Sequence, residues 1–244
     1  MLIDAGGFAR TQFDIGSKVV APALRSLGLL RIDILAITHA HRDHLGGAAA
    51  IIKSFSPGAV WLGRMPVDDP AVQEIERLAK QGGGAVVLPR RGVRLVLGGA
   101  RVNVLNPGRG VEGSGPARND DSLVLRVSFR RRGVLLTGDL EAALETTLLD
   151  ERRELGADLL KIGHHGSRTS TTWPFLRAVG PKFGVISVGA ANPWGHPDAE
   201  VLGRLREAGV EVYRTDRDGA VRFSTDGKSA WVAERLVPEG RGGP

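Results

Sequence analysis

The chain has 244 residues, which is enough for one large domain or two small ones with a buried core. Its apolar share of 42% and charged share of 25% are ordinary for a globular protein. The absence of cysteine excludes disulfides and thiolate metal ligands. No apolar run approaches the roughly 20 residues that span a bilayer, and Asp4 interrupts the start before a secretory signal could form.

The chain is basic, with 33 Lys and Arg against 27 Asp and Glu, a net charge of +6 and a pI of about 10.3. A polyanionic partner such as nucleic acid would explain this excess. An arginine-rich, solvated surface would explain it as well, so charge alone does not identify the partner.

Strand-like and helix-like segments alternate in the first part of the chain. In order they are the strand "IDILAIT", the helix "LGGAAAIIKSF", the strand "GAVWLG" and the helix "DPAVQEIERLAKQGGG". The second helix carries proline at its first turn and glycine after its end, which are typical boundary signals.

A run of five strand-like segments follows, separated by glycine or charged turns. They are "GAVVLPR", "GVRLVLG", "ARVNVLNP", "SLVLRVSFR" and "RGVLLTGD". The alternation then returns with the helix "LEAALETTLLDERREL", the strand "ADLLKIG", the helix "TTWPFLRAVG", the strand "KFGVISVG" and the helix "DAEVLGRLREAG". Three closing strands are predicted at "VEVYRT", "GAVRFST" and "SAWVAERL".

This order predicts one α/β domain over residues 1–237, with stacked sheets and outer helices. Residues 238–244 are predicted to form a flexible tail. The glycine-rich stretch 108–116 is predicted to be a mobile surface loop.

The six histidines fall into three short segments, each after a predicted strand. They are His39, His41 and His44 in "THAHRDH", His164 and His165 in "GHHGS", and His196 in "NPWGHP". A single histidine is usually a surface or core residue, but ligands gather at the carboxyl ends of strands in α/β sheets. The clustering therefore indicates a site.

Imidazole and carboxylate are the standard non-thiolate ligands of divalent transition metals. If the backbone curls after its strand, His39 and His41 would face one ion, and Asp43 and His44 a second. Asp139 ends another apolar strand and could bridge the two ions. The alternative for Asp139 is a helix N-cap before "LEAAL".

The segment "THAHRDHLGG" resembles the H-x-H-x-D-H motif of the metallo-β-lactamase superfamily, and "MLIDAGG" and "LLTGDL" resemble its Asp-Gly and Gly-Asp motifs. The segments "LLKIGHHGSRTS", "VISVGAANPWGHP" and "VYRTDRDGAVRF" are similar to the carboxyl-terminal domain of ComEC competence proteins. The resemblance covers almost the whole chain. It implies a four-layer αβ/βα sandwich, a dinuclear metal site and a nuclease role in DNA uptake.

The resemblance also implies residue roles. The expected metal ligands are His39, His41, Asp43, His44, Asp139 and His164. Asp4 is expected to orient a ligand histidine or the local loop. His165 is a rival of His164 for the last ligand position. Asp43, His165 and His196 are the candidate catalytic residues, with His196 suited to an anion contact or to proton donation.

The chain departs from the superfamily pattern in two ways. No histidine lies between residues 44 and 164, where many members carry another ligand. Asn119, Asp121 or Ser122 is expected to approach the first ion instead, within an Asn-x-x-Ser pattern like that of the ComEC branch. The chain also begins at "MLIDAGG", where relatives carry preceding strands, so the first strands of the sandwich are expected to be missing.

The leading hypothesis is metal-dependent hydrolysis of DNA phosphodiesters by two divalent ions, zinc or manganese, with iron also compatible with the ligands. Arg42, Lys161, Ser167 and Arg168 are expected to contact backbone phosphates with little sequence preference. Because aromatic content is only 5%, base stacking is not strongly indicated.

Two alternatives stay open. One is a hydrolase of small esters, lactams or thioesters on the same scaffold, because a fold does not fix a substrate. The other is a non-catalytic, metal-stabilised DNA-binding module. The expected location is the extracytoplasmic face of the membrane if the domain belongs to a larger ComEC-type membrane protein, and the cytoplasm otherwise.

Overall fold

A computed structural model describes residues 1–8, 13–108, 115–229 and 231–236. The chain folds into two compact units. The first comprises Met1–Val93 and Asn106–Leu123, and the second comprises Arg94–Leu105 and the chain from Val124 onward. The tail predicted at 238–244 and most of the predicted loop 108–116 lie outside the described residues, and a single domain over 1–237 stays a prediction.

The first unit contains a parallel four-stranded sheet in sequence order. Its strands are β1 (Leu2–Ile3), β2 (Ile34–Ile37), β3 (Ala59–Leu62) and β4 (Ala85–Val87). The described helices of this unit are a π-helical turn (Gly16–Val20), α1 (Ala21–Ser26), α2 (Arg42–Leu45), α3 (Ala48–Phe55) and α4 (Pro70–Gln81), with a 3-10 turn at Asn119–Asp121.

Helix α4 begins and ends where its sequence predicts. The Asp69 carboxylate accepts hydrogen bonds from the amides of Ala71 and Val72, and Pro70 occupies the first turn. Its buried face is Val72, Ile75, Leu78 and Ala79. This helical spacing packs an apolar stripe into the core of the first unit.

The helical segment between residues 16 and 26 was not predicted. Only Gly16 and Ala21 are buried within it, so its sequence lacks a clear apolar stripe. Pro22 lies in the first turn of α1, which is the one local signal for a helix start there.

The second unit contains a seven-stranded mixed sheet in the order β11-β10-β9-β8-β7-β6-β5. These strands are β5 (Arg94–Leu97), β6 (Ala100–Asn106), β7 (Val124–Phe129), β8 (Arg132–Leu136), β9 (Leu159–Lys161), β10 (Phe183–Ile186) and β11 (Glu211–Arg214). Strands β8 to β11 run parallel, whereas β5 with β6 and β7 with β8 pair antiparallel. A separate hairpin joins β12 (Ala220–Ser224) to β13 (Val232–Leu236).

The described helices of the second unit are α5 (Ala142–Asp150), α6 (Trp173–Val179), α7 (Ala199–Glu207) and α8 (Thr215–Asp218), with a 3-10 turn at Gly163–Gly166. Helix α5 is shorter than the predicted segment 140–155. It stops at Asp150, and Arg152 then adopts a left-handed conformation with φ of 51°. The mixed α/β class predicted from the sequence is confirmed. Within the described ranges, no helix is both long and apolar enough to cross a membrane.

A buried carboxylate joins two helices of the second unit. Glu145 of α5 is only 1% exposed, and its two oxygens accept hydrogen bonds from the backbone amides of Thr171 and Thr172. Thr172 is the N-cap of α6, so Glu145 satisfies amides at the start of that helix. Burial raises the pKa of the Glu145 carboxyl, and the two amide hydrogen bonds oppose this rise.

Replacing Glu145 by alanine should therefore destabilise the chain. Each buried amide left without an acceptor costs about 1–3 kcal/mol, so we expect Glu145→Ala to lose about 2–5 kcal/mol of unfolding free energy. Glu145→Gln should lose less, since it keeps one acceptor oxygen. Urea unfolding followed by circular dichroism measures both. Thr146→Ala, at an exposed position of the same helix, is the matched control, and a Glu145→Ala loss no larger than the control's would contradict this role.

Candidate metal centre

The first histidine segment begins where β2 ends. Strands β1 and β3 flank β2 on either side, and all three run parallel, so their carboxyl ends meet at one edge of the sheet. Asp4 follows β1 at this edge, and His39 to His44 follow β2. Helix α2 then carries Asp43 and His44 in a single turn. Four potential ligands after β2 and the Asp4 carboxylate after the neighbouring strand β1 are thereby collected within the first unit.

The side chains of His39 and His41 converge. The Nε2 atom of His39 lies 3.0 Å from the Nδ1 atom of His41, and His39 is fully buried. On its other side, the Nδ1 atom of His39 lies 3.0 Å from the Thr38 hydroxyl and 3.4 Å from the Ser122 hydroxyl. Two nitrogens that face each other at this distance suit a shared cation, and the hydroxyls on the far side fix the orientation of the His39 ring.

Asp4 holds the third histidine. Its carboxylate lies 2.7 Å from Nδ1 of His44, and it also accepts hydrogen bonds from the amide and the hydroxyl of Thr38 at 2.7 and 2.9 Å. This contact directs Nε2 of His44 away from Asp4, toward the Asp43 carboxylate at 3.8 Å. These contacts join residues 34 and 40 positions apart and fix the orientation of the His44 ring, while the role of His44 as a metal ligand stays a prediction.

Glycines allow the loop after β1 to lie directly against α2. A Cβ atom at Gly7 would lie 2.0 Å from the carbonyl oxygen of Arg42, and one at Gly47 would lie 2.4 Å from that of Ala5. Neither contact leaves room for a side chain. The close approach also allows the Ala5 amide to donate a hydrogen bond to the carbonyl of His44. Arg42, predicted to contact phosphate, is exposed on α2.

The Asn-x-x-Ser segment lies beside the first pair of histidines. The Leu123 amide donates to the carbonyl of Thr38, which brings Ser122 to His39. Asp121 instead forms an ion pair with Arg64 at 3.1 Å. Asn119 begins the 3-10 turn that precedes Ser122. Of the three residues predicted to approach the first ion, Ser122 lies within 3.4 Å of the candidate ligand His39.

The second unit collects its own group at the carboxyl ends of β8, β9 and β10, which are adjacent and parallel. Asp139 follows β8 and is only 1% exposed. Its carboxylate lies 3.3 Å from Nε2 of His165 and 3.4 Å from the Lys161 ammonium, which also donates to the carbonyl of Gly138. The N-cap of α5 is Glu141, so the alternative interpretation of Asp139 as the N-cap of this helix is wrong.

The two adjacent histidines of this unit have different partners. His165 places Nδ1 2.6 Å from the carbonyl oxygen of Ser187, at the end of β10, which leaves Nε2 for Asp139. His164 places Nδ1 3.0 Å from the Glu141 carboxylate. Both residues adopt positive φ values, 45° for His164 and 53° for His165. Such backbone costs about 1–3 kcal/mol per residue and concentrates at functional sites. The geometry favours His165 over His164 as the partner of Asp139.

His196 packs against this pair, with its ring centroid 5.6 Å from that of His164. Burial lowers the pKa of His196, and the neighbouring imidazoles of His164 and His165 lower it further. The turn 163–170 also contains the two remaining predicted phosphate contacts. Ser167 is buried and pairs with the Thr169 hydroxyl at 2.9 Å, whereas the Arg168 side chain is 69% exposed, 3.9 Å from Glu200.

Three supporting groups were not predicted from the sequence. They are the Thr38 hydroxyl, the Glu141 carboxylate and the backbone carbonyl of Ser187. Thr38 immediately precedes His39, and Glu141 lies two residues after Asp139. Proximity in the sequence to a motif residue was therefore the signal by which these two groups could have been found. Nothing in the sequence marks the Ser187 carbonyl, because any residue would supply it.

The family model of the metallo-β-lactamase superfamily matches residues 1–190 of the chain. The chain is also 32% identical over 234 residues to ComE operon protein 3 of Bacillus subtilis, covering 91% of this chain and 30% of that protein. It is 32% identical over 237 residues to the competence protein ComA of Neisseria gonorrhoeae, covering 97% of this chain and 30% of that protein. The chain thus spans about a third of the length of these relatives.

Solved structures of this fold are more distant. The metallo-β-lactamase fold protein YhfI of Bacillus subtilis aligns with a TM-score of 0.47 and 12% identity, covering 80% of each chain. The family match, rather than this alignment, therefore assigns the fold. The chain belongs to the metallo-β-lactamase superfamily.

Proposed function

We propose that this chain is a DNA nuclease, a phosphodiesterase that serves DNA uptake. Membership of the superfamily makes it a metal-dependent hydrolase with a metallo-β-lactamase fold. The observation that carries the finer proposal is the presence of two groups of imidazoles and carboxylates, in which His39, His44 and Asp139 are buried, in a chain with a net charge of +6. The names of the competence-protein relatives support the link to DNA uptake.

The donor atoms present fit divalent metal ions. Asp43, His44, Asp139 and His165 each offer one nitrogen or oxygen ligand atom. His39 and His41 add two nitrogens that already converge. Nitrogen and oxygen donors without sulfur suit zinc, manganese or iron. We propose His39, His41, Asp43 and His44 as the ligands from the first unit, and Asp139 and His165 as those from the second, with His165 taking the position that the sequence first suggested for His164.

When bound, two such ions supply Lewis acidity and activate the attacking water. The protein groups orient the reactants. Lys161 and His165 fix the Asp139 carboxylate from two sides. Hydrolysis forms one bond from phosphorus to the water oxygen and breaks one phosphorus–oxygen ester bond, and the leaving oxygen takes up a proton. Because both ring nitrogens of His165 have partners, we propose His196 for the contact with the leaving group.

The charge of the chain supports a phosphate backbone as the substrate. Arg42 and Arg168 are exposed arginines on or directly after the two histidine segments. An arginine at such a position can neutralise a phosphate without reading the base. Membership in a larger membrane-bound competence protein, with this domain on the extracytoplasmic face, belongs to the same proposal.

One observation favours a rival function. No histidine lies between residues 44 and 164, and the described groups beside His39 of the first pair include the weakly donating hydroxyls of Thr38 and Ser122. A site with so few strong donors would bind its ion weakly, as in a DNA-binding module without catalysis. A hydrolase of small esters, lactams or thioesters is the other alternative, and a substrate panel separates it from a nuclease.

The deciding experiment is a digest of plasmid and single-stranded DNA. The protein is first stripped with a chelator, and zinc, manganese or iron is then added back separately. The nuclease proposal expects cleavage that returns with at least one metal. Binding without cleavage would favour the module, and turnover of esters or lactams without DNA cleavage would favour the small-substrate hydrolase.

Removing the carboxylate that holds His44 should weaken metal binding. Outer carboxylates that orient a ligand histidine contribute about 10- to 100-fold to metal affinity, so Asp4→Ala should weaken binding by about that factor. Competition of zinc or manganese with a chromophoric chelator measures it. Asp33→Ala, an exposed carboxylate just before the same strand, is the control. If Asp4→Ala binds metal like the control, the proposed orienting role is wrong.

Substituting Asp139 should abolish hydrolysis, because the proposed ligand faces His165 and Lys161 at the centre of its group. Asp139→Asn keeps the shape of the side chain and serves beside Asp139→Ala to separate activity from folding. The measurement is DNA cleavage by each variant, together with the melting temperature. Asp150→Ala, at the exposed end of α5, is the control. Near-normal turnover by Asp139→Asn would exclude Asp139 as an essential ligand.

DNA binding should weaken steeply with salt. Each neutralised phosphate adds about −0.9 to the log–log slope on duplex and about −0.7 on single strands, so a handful of contacts gives about −3 to −5. Fluorescence anisotropy of a labelled oligonucleotide in calcium, which replaces the catalytic metal, measures this slope. Arg168→Ala should lower affinity equally for all sequences and reduce the slope by about 1.

The control for Arg168 is Arg222→Ala. Arg222 is also a partly exposed arginine in a loose ion pair, 3.7 Å from Glu234 on the β12–β13 hairpin. It lies on no histidine segment, so its loss should change the slope less. A flat salt response of the unaltered protein would contradict the electrostatic binding on which the proposal depends.

A further inference from the structure

We propose that Trp194 is a stacking platform for an unpaired DNA base, so that the preferred substrate is single-stranded or has a frayed end. This inference rests on the proposed nuclease function and adds a substrate class to it. The starting observation is the exposure of Trp194, which is 77% and the highest among the large hydrophobic side chains that the structure describes as exposed. An indole that is this exposed offers a flat aromatic face on which a ligand can stack.

The loop that carries Trp194 is internally fixed. The Asn192 side chain donates to the carbonyl of His196 at 2.8 Å and accepts from the His196 amide at 2.9 Å. The same side chain donates to the carbonyl of Gly189 at 2.9 Å. These bonds close residues 192–196 into a turn, with Trp194 midway between its two hydrogen-bonded ends. The indole is therefore presented outward by a preorganised turn, which lowers the entropy lost when a ligand binds.

The position of the loop connects Trp194 to the candidate centre of the same unit. Trp194 lies two residues before His196, whose ring packs against that of His164. The loop begins after β10, and the carbonyl of Ser187 at the end of that strand contacts His165. A base on Trp194 would thus belong to a nucleotide a short distance along the strand from a phosphate held beside these histidines.

A nucleic-acid base is the ligand whose chemistry fits this feature best. Every base offers a flat aromatic face, so stacking on one indole requires no particular sequence. That tolerance agrees with recognition through backbone phosphates by a basic chain. A paired base inside a duplex has both faces covered by its neighbours, so a single platform selects an unpaired base or a strand end. The low aromatic content of 5% argued against a row of stacked bases, but it does not bear on one platform.

The test compares binding of a single-stranded oligonucleotide with binding of a duplex of equal length. Calcium replaces the catalytic metal, and fluorescence anisotropy gives the affinities. Trp194→Ala should weaken single-strand binding by about 5- to 150-fold, the range that corresponds to about 1–3 kcal/mol for one stacked base. Duplex binding should change less than about 2-fold, since phosphate contacts remain. Trp194→Phe should recover most of the single-strand affinity.

Tryptophan fluorescence supplies a direct second readout. Stacking should quench the emission of the unaltered protein when the single strand is added, and Trp194→Phe should lose this quenching while it still binds. Val96→Ala is the matched control, because Val96 is 69% exposed on β5 of the same unit and its loss removes exposed apolar surface away from the histidine segments.

The outcomes separate this inference from the nuclease proposal. Suppose that the unaltered protein cuts DNA and that Trp194→Ala binds single strands as tightly as the unaltered protein does. The stacking role of Trp194 is then wrong, and the nuclease proposal is unaffected. If the unaltered protein neither binds nor cuts DNA, both fail. Vesicles of phosphatidylcholine form a third arm. Loss of vesicle binding in Trp194→Ala, with DNA affinity unchanged, would overturn the platform in favour of a membrane contact of the exposed indole.

Discussion

The hydrogen bonds of the Asp4 carboxylate organise the first histidine segment. One oxygen accepts from the Thr38 amide, and the other contacts both the Thr38 hydroxyl and Nδ1 of His44. Thr38 in turn contacts Nδ1 of His39, so a single carboxylate fixes the two buried histidines. The pairing of β1 with β2 places Asp4 beside Thr38, and these contacts hold Nδ1 of each ring so that Nε2 faces away from them.

The second unit reaches a comparable result through different contacts. Its candidate ligands come from the ends of adjacent parallel strands, and each is held by a group from another strand or turn. Ser187 fixes His165, Lys161 contacts Asp139, and Glu141 contacts His164. The left-handed backbone at the two adjacent histidines is maintained by the hydrogen bonds of the turn, including that of the Ser170 hydroxyl to the carbonyl of Gly163. Strain at the site is thus offset by bonds around it.

Local features of the fold, and the collection of imidazoles and carboxylates at strand ends, could be predicted from the sequence, but the hydrogen-bond partners of these side chains could not. The cap and the first turn of α4 are encoded within four residues, so its boundaries were predictable. The end of α5 was placed too late, because "DERREL" has good helix formers and the left-handed turn at Arg152 leaves no signal in them. The bond from Asp4 to His44 spans 40 positions, and only the pairing of β1 with β2 brings them together.

No histidine lies between residues 44 and 164, and the Asn-x-x-Ser segment within this interval has a physical consequence for His39 and His41. Ser122 is fully buried beside Nδ1 of His39, whereas the nitrogen that meets His41 is Nε2. A hydroxyl at that position orients the ring rather than facing the convergent nitrogens. The carbonyl of Ser122 accepts from the Asn106 side chain, and the next amide binds Thr38, so its place is fixed by the backbone. The serine therefore supports the imidazole of His39 in this arrangement, while the convergent Nε2 of His39 and Nδ1 of His41 face each other on the other side of the ring.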